Sequence, residues 1–167
     1  MTKKQTLVPG KHAVVPRVLV FAVNESEQLL LIKGAPTKRV YPNLWNGLGG
    51  HVEVGETVLA AARRELMEES GLTAKKWQLC AQIMIDTGTN PGICVWAFKA
   101  GELSGDLLPS EEGGLGWFSL DEALELKLVE DLYTLLPIVF YFKEESPALF
   151  GSYSYDSCDQ LIIRFQQ

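Results

Sequence analysis

The sequence predicts an α/β (α+β) domain in which a mixed β-sheet carries helices on its faces. Three observations lead there. Short β-rich runs recur along the whole chain, three segments have helical character, and Gly, Pro, Asn and Asp break the chain at short intervals between them. A length of 167 residues suits one domain, residues 1 to 167, with a substantial core. Hydrophobic content of 47% with 22% charged residues is that of an ordinary soluble globular chain rather than a disordered one.

Residues 1 to 12 are polar and read as a loose, flexible tail. Arg17 to Val23 and Gln28 to Lys33 are β-rich runs separated by Asn24-Glu25-Ser26-Glu27, which predicts a hairpin. Gly34 to Asn46 is a long polar loop containing Pro36 and Pro42, and Trp45 to Val54 holds a short strand beside the glycine-rich turn Gly47-Leu48-Gly49-Gly50. A helix is expected to start at Thr57, a good N-cap, and to stop at Gly71, which suits the left-handed residue past a helix end. Ala60, Ala61 and Ala62 favour that helix, with Leu59, Leu66 and Met67 as its apolar anchors. Trp77 to Asp86 and Ile93 to Lys99 read as strands around Gly88-Thr89-Asn90-Pro91-Gly92. Gly116 to Leu120 is a short strand, Asp121 to Leu126 a helical turn, and Asp131 to Phe142 a further helix. Phe150 to Tyr155 and Gln160 to Phe165 form a last hairpin over Asp156-Ser157-Cys158-Asp159, so residues 147 to 167 read as a C-terminal hairpin extension.

Within the first helix, Glu65, Glu68 and Glu69 sit three and four residues apart, which puts all three on one helix face. Like charges this close repel unless a cation neutralises them. Carboxylate oxygens with no cluster of thiol or imidazole groups suit a hard cation, Mg²⁺ with Mn²⁺ as a substitute, better than zinc. A hard cation beside a glycine turn in turn suits a phosphate ligand. A solvated acidic face, with Arg64 pairing Glu68 at i,i+4, is the plain alternative for the glutamates alone.

The spacing as a whole weighs against that alternative. Gly50, five residues, Glu56, seven residues, then Arg64-Glu65, an aliphatic residue, any residue, Glu68-Glu69, any residue, Gly71 and Leu72 reproduces the Nudix box without departure. At ordinary residue frequencies such a coincidence is roughly a one-in-a-billion event per window. The chain resembles a Nudix hydrolase of the MutT-like kind. The resemblance implies an α/β/α sandwich around a mixed sheet, with a catalytic loop-helix-loop. By the same resemblance Glu65, Glu68 and Glu69 match the metal-binding glutamates, and the carbonyl of Gly49 matches the backbone ligand. Arg64 matches the arginine that orients a catalytic glutamate, and Glu56 a residue that braces the loop against the helix start. Glu53 is a lesser candidate for the metal or its water network. Ser110 to Trp117 resembles the stretch that supplies one more carboxylate, with Glu112 the better match and Glu111 the fallback. Either Glu65 or Glu112 would take the proton of the attacking water.

The reaction implied is Mg²⁺-dependent hydrolysis of a nucleoside diphosphate linked to another group. For a nucleoside triphosphate, including an oxidised purine such as 8-oxo-dGTP, the products are the monophosphate and pyrophosphate. Leu44 to Gly50 resembles the Trp-Asn-Gly stretch of oxidised-purine nucleoside triphosphatases, which implies that Asn46 bonds the base and that Lys33 lies on the substrate side. Asn46 capping its own turn and Trp45 packing in the core remain open beside base recognition and stacking. Those enzymes carry paired aspartates; here Asp131 provides one match and has no aspartate beside it. An ADP-ribose or nucleotide-sugar pyrophosphatase would keep the same box. A non-catalytic nucleotide-sensing module would usually have lost one of the box glutamates, all of which are present.

The formal charge of −6 argues against a nucleic-acid polymer or an anionic membrane as partner, but not against a small nucleotide. Cys80, Cys94 and Cys158 are odd in number and widely spaced, which favours free buried thiols in a reducing compartment. No apolar run follows the N-terminal lysines, so no signal peptide and a cytoplasmic location are expected. The C-terminal hairpin, with Tyr153, Tyr155 and Phe165, either lines the pocket, pairs across a homodimer or covers the sheet.

Overall fold

In the computed structural model, residues 10–37, 39–108 and 113–166 are described. They form a five-stranded mixed sheet, a three-stranded antiparallel sheet and three helices. The large sheet runs in the order β1 (Val14–Ala22), β5 (Gly92–Ser104), β4 (Thr73–Ile85), β7 (Leu149–Tyr155) and β8 (Leu161–Gln166). β1 lies parallel to β5 and β7 parallel to β4, while β4/β5 and β7/β8 are antiparallel pairs. The small sheet places β2 (Leu29–Gly34) between β3 (Trp45–Asn46) and β6 (Gly113–Phe118).

The expected β1/β2 hairpin forms its turn and then comes apart. Asn24 Oδ1 accepts the Ser26 and Gln28 amides, and Val23 pairs with Leu29. Beyond that point the two strands enter different sheets. Val18, Val20, Phe21 and Ala22 are all buried, so β1 is apolar on both faces and needs cover on both, which helices on either side of the large sheet provide.

Alternation along β1 divides the core. Val18, Val20 and Ala22 pack with Leu66, Ala61 and Ala62 of helix α1 (Val58–Ser70), whereas Leu19 and Phe21 face helix α3 (Leu132–Phe140) and the strands beneath it. The short helix α2 (Leu120–Leu124) adds Leu120 and Ala123 to that second side. Helix α1 has the predicted ends: the Thr57 hydroxyl accepts the Ala60 amide at 3.1 Å, and Gly71 is left-handed at φ 76°. Its anchors differ from expectation at one place. Met67 is 49% exposed because it follows Leu66 by about 100° of helical turn, so Ala61, Ala62 and Leu66 carry the packing. No helix among the described residues is long and apolar enough to cross a membrane. Cys80 and Cys94 are free and buried, but Cys158 is exposed in the β7–β8 turn rather than buried as expected.

Replacing Thr57 by Ala removes the cap from one otherwise unpaired amide of α1. It is expected to cost about 1 kcal/mol and lower the Tm by roughly 2–4 °C, which calorimetry can read.

Candidate active site

The glycine turn is built onto the outer edge of β1. Val20 donates to Leu48 O at 2.7 Å, Leu48 donates back at 3.1 Å, and Val18 donates to Gly50 O at 2.9 Å. This close approach explains Gly49: a Cβ there would run into the Val18 carbonyl oxygen, and its φ of 147° is one that side chains rarely allow. A Cβ on Gly50 would run into the Glu65 carboxylate. The turn therefore forms a cradle against one of the helix glutamates. Glu69, only 6% exposed, reaches the same turn and accepts the Gly49 amide at 2.8 Å.

Arg64 ties this arrangement together. Its Nε donates to Glu56 Oε1 at 2.9 Å and its Nη2 to Glu56 Oε2 at 3.2 Å and to His51 O at 3.0 Å. Its Nη1 donates to Glu65 Oε1 at 2.8 Å and to Glu68 Oε2 at 3.0 Å. Glu56 also accepts the Glu53 amide at 3.0 Å, so loop, helix start and helix middle share one guanidinium. Hydrogen bonds to Arg64 and then to the Glu53 amide lower the Glu56 carboxyl below its ordinary range, and the bond to Glu56 leads those that raise Arg64.

One positive charge faces three carboxylates here, with Glu69 as a fourth beside them. As the side chains stand, no three of the His, Cys, Asp or Glu groups converge on one point among the described residues. The donor set nevertheless fits a hard divalent cation: oxygen ligands only, surplus negative charge and a turn whose glycines admit close approach. Glu65, Glu68, Glu69 and the Gly49 carbonyl are the groups that would hold it. Glu68 is the most open of them, its side chain 59% exposed. Glu112 and its fallback Glu111 lie outside the described residues.

From this end a cleft of about 720 Å³ runs across the large sheet and under the start of α3. Its floor is one face of the sheet. Arg17, Val95 and Ile83 form one rung across β1, β5 and β4, and Ile93, Ile85 and Tyr153 form the next across β5, β4 and β7. Val129, Glu130, Asp131 and Leu135 close it from α3 and the approach to it. The Asp131 side chain makes no cap to α3, and burial pushes its carboxyl up to about 6.

Asn46 lines the cleft, and its Oδ1 accepts the Gly47 amide at 2.9 Å, so it does brace the turn. Lys33 does not line it. Its ammonium lies 6.0 Å from the centre of the Trp45 ring, because register places it opposite Trp45 on the small sheet. Trp45 itself packs edge-on against Phe118, with ring centres 4.9 Å apart, which is a core contact. Sequence reasoning did not find Arg17, Tyr41 or His51 on the lining. The signal for Arg17 was present: a lone cation inside an apolar strand.

The NUDIX domain model matches residues 14–138, three-quarters of the chain and the whole of the turn and helix just described. The chain belongs to the Nudix family. Family members typically require a divalent metal, which agrees with the donor set. The chain is 31% identical over 125 residues to the oxidized purine nucleoside triphosphate hydrolase of Danio rerio, covering 70% of this chain and 80% of that one. It is 31% identical over 132 residues to the NAD-capped RNA hydrolase NudC of Pectobacterium atrosepticum, covering 73% of this chain but 48% of the relative. Among solved structures, the MutT protein of Bacillus halodurans superposes with a TM-score of 0.76 at 27% identity, covering 92% of this Nudix chain and 98% of that one. Hydrolysis of a phosphoanhydride bond follows from the family.

Burial raises Asp131, so the folded state holds its proton more tightly than the unfolded chain, and that contribution to stability is lost as pH rises from 3.8 through about 6. Asp131→Asn is therefore expected to gain on wild type between pH 4 and pH 7.5. Urea unfolding at the two pH values checks this; an unchanged difference would mean the carboxyl is not desolvated.

Proposed function

We propose that this Nudix chain hydrolyses nucleoside triphosphates to the monophosphate and pyrophosphate with Mg²⁺, or Mn²⁺ in its place, and prefers a purine, including an oxidised one such as 8-oxo-dGTP. One observation carries the reading: a single cleft joins the glycine turn and box glutamates at the β1 edge to an apolar floor roofed by α3. A triphosphate suits the first end and a flat base the second. The Danio rerio relative, named for oxidised purine nucleoside triphosphates, supports the choice of substrate.

Arg64, held by Glu56, keeps Glu65 against the Gly50 turn, so that a carboxylate stands at the cleft wall without having to be ordered during the reaction. Glu65, Glu68, Glu69 and the Gly49 carbonyl would hold the cation. When bound, it neutralises phosphate oxygens and makes water more acidic. The water oxygen forms a bond to phosphorus, the bridging P–O bond breaks, and the bridging oxygen leaves with its electron pair on the departing phosphate group. The water proton goes to Glu65 or Glu112. Asn46 and Asp131 line the same cleft and are the groups assigned to the nucleoside.

A second reading, a pyrophosphatase of ADP-ribose or a nucleotide sugar, draws on the NAD-capped RNA hydrolase relative, because it keeps the same nucleoside-diphosphate core. A panel of nucleoside triphosphates, 8-oxo-dGTP, ADP-ribose and a UDP-sugar with Mg²⁺, with monophosphate and pyrophosphate quantified, separates the two. The expected outcome is pyrophosphate release from purine triphosphates, abolished by excess chelator. Glu69→Gln should lower kcat roughly a hundredfold or more. Its amide oxygen can still accept the Gly49 amide, so the Tm should hardly move. Full turnover in chelator, or unfolding of Glu69→Gln, would count against the site.

A further inference from the structure

Two buried polar side-chain atoms lack a hydrogen-bond partner among the described residues: Arg17 Nε and the Tyr153 hydroxyl. Both residues line the same cleft. A buried phenol without a partner costs stability, so its persistence asks for a ligand. Tyr153 is only 3% exposed, stands in the floor rung beside Ile85, and comes from β7 of the C-terminal hairpin. That hairpin follows residue 138, where the match to the family domain ends. Three strand spacings, roughly 14 Å of sheet, separate β7 from β1, whose edge carries the glycine turn. Tyr153 therefore sits at the end of the cleft far from the phosphate-binding groups.

We propose that the C-terminal hairpin supplies the base-reading group of this chain: the Tyr153 hydroxyl donates to an acceptor on the edge of a purine lying on the sheet floor, with the Asp131 carboxyl beside it to accept from a neighbouring ring or exocyclic N–H. The proposal rests on the nucleotide reading above and extends it to a residue outside the matched domain. Apolar side chains beneath the ring give area without direction, so the few polar atoms at the far end decide which base fits. Tyrosine combines an apolar body with a polar tip, which suits it to reading a base edge. The Tyr153 ring packs with Phe165, centres 6.1 Å apart, and only its hydroxyl is left to bond. Burial first, and the Asp131 charge second, hold the phenol above its ordinary pKa, so it stays a neutral donor.

The test uses binding, so that it does not depend on turnover. Affinities of the full-length protein for GMP, AMP and ribose 5-phosphate are measured by calorimetry for wild type and Tyr153→Phe. Wild type is expected to bind at least one purine monophosphate more than tenfold tighter than ribose 5-phosphate. Tyr153→Phe should weaken that purine about tenfold, leave ribose 5-phosphate unchanged, and keep or raise the Tm because an unbonded buried hydroxyl has gone. Asp131→Asn provides a second probe and should also shift the order of GMP and AMP. Unchanged purine affinity in Tyr153→Phe would overturn the proposal. So would an equal loss for all three ligands with a lowered Tm, or a wild type indifferent to the base. A protein that binds purines through Tyr153 but turns over no triphosphate would sink the proposed reaction and leave this inference standing. Triphosphate turnover with purine affinity untouched by Tyr153→Phe would do the reverse.

Discussion

The Arg64 guanidinium, shared among Glu56, Glu65, Glu68 and the His51 carbonyl, is the interaction on which the site depends. Its planar fork lets one cation bind Glu56 with two nitrogens while a third serves the helix glutamates. A lysine could satisfy the charge but not that geometry. The consequence is a fixed distance between the loop after β3 and the middle of α1. The Glu69 bond to the Gly49 amide sets the same distance from the other side. Between these two ties, acidic side chains stay close to one another even though their mutual repulsion opposes it.

The large sheet supplies what the loop and helix cannot. Odd-numbered residues of β1, of β5 as far as Lys99, of β4 beyond its bulge between Leu79 and Ala81, and of β7 share one face, and their rungs extend from the glycine turn to the C-terminal hairpin. Even-numbered residues of β1 pack on α1 instead, so the strand that backs the acidic helix also floors the cleft. A shift of register by one residue would exchange these faces and bury Arg17 against α1. The acidic end of the cleft and its apolar floor are therefore coupled through the pairing of β1 with β5.

How much of this could be read from sequence follows from how local each feature is. The box helix, its Thr57 cap and its Gly71 stop are set by residues within one or two turns of one another, and they appear as expected. The clustering of Glu65 with the glycine turn was carried by the box spacing. The separation of β1 from β2 was not legible, because the pairing of Val14 with Gly92 lies far beyond any turn signal. For the same reason Arg17 and Tyr153 could not be placed in one cleft from sequence: they meet only through β5 and β4. Lys33 was drawn toward the substrate by resemblance, yet strand register turns it to Trp45, and Trp45 packs on Phe118, the core placement that the sequence had left open beside stacking. Glu112 lies outside the described residues, and its part in the reaction stays a proposal.

On the proposed function, the helix carboxylates and the glycine turn together receive a hard cation. Amide resonances of the ¹⁵N-labelled protein titrated with substoichiometric Mn²⁺ test it most directly, since paramagnetic broadening reports distance from the ion. Signals of residues 47–53 and 64–69 are expected to broaden first, and excess Mg²⁺ to restore them. Broadening centred instead on the acidic turn at Asp156 and Asp159, or spread evenly over the surface, would contradict it.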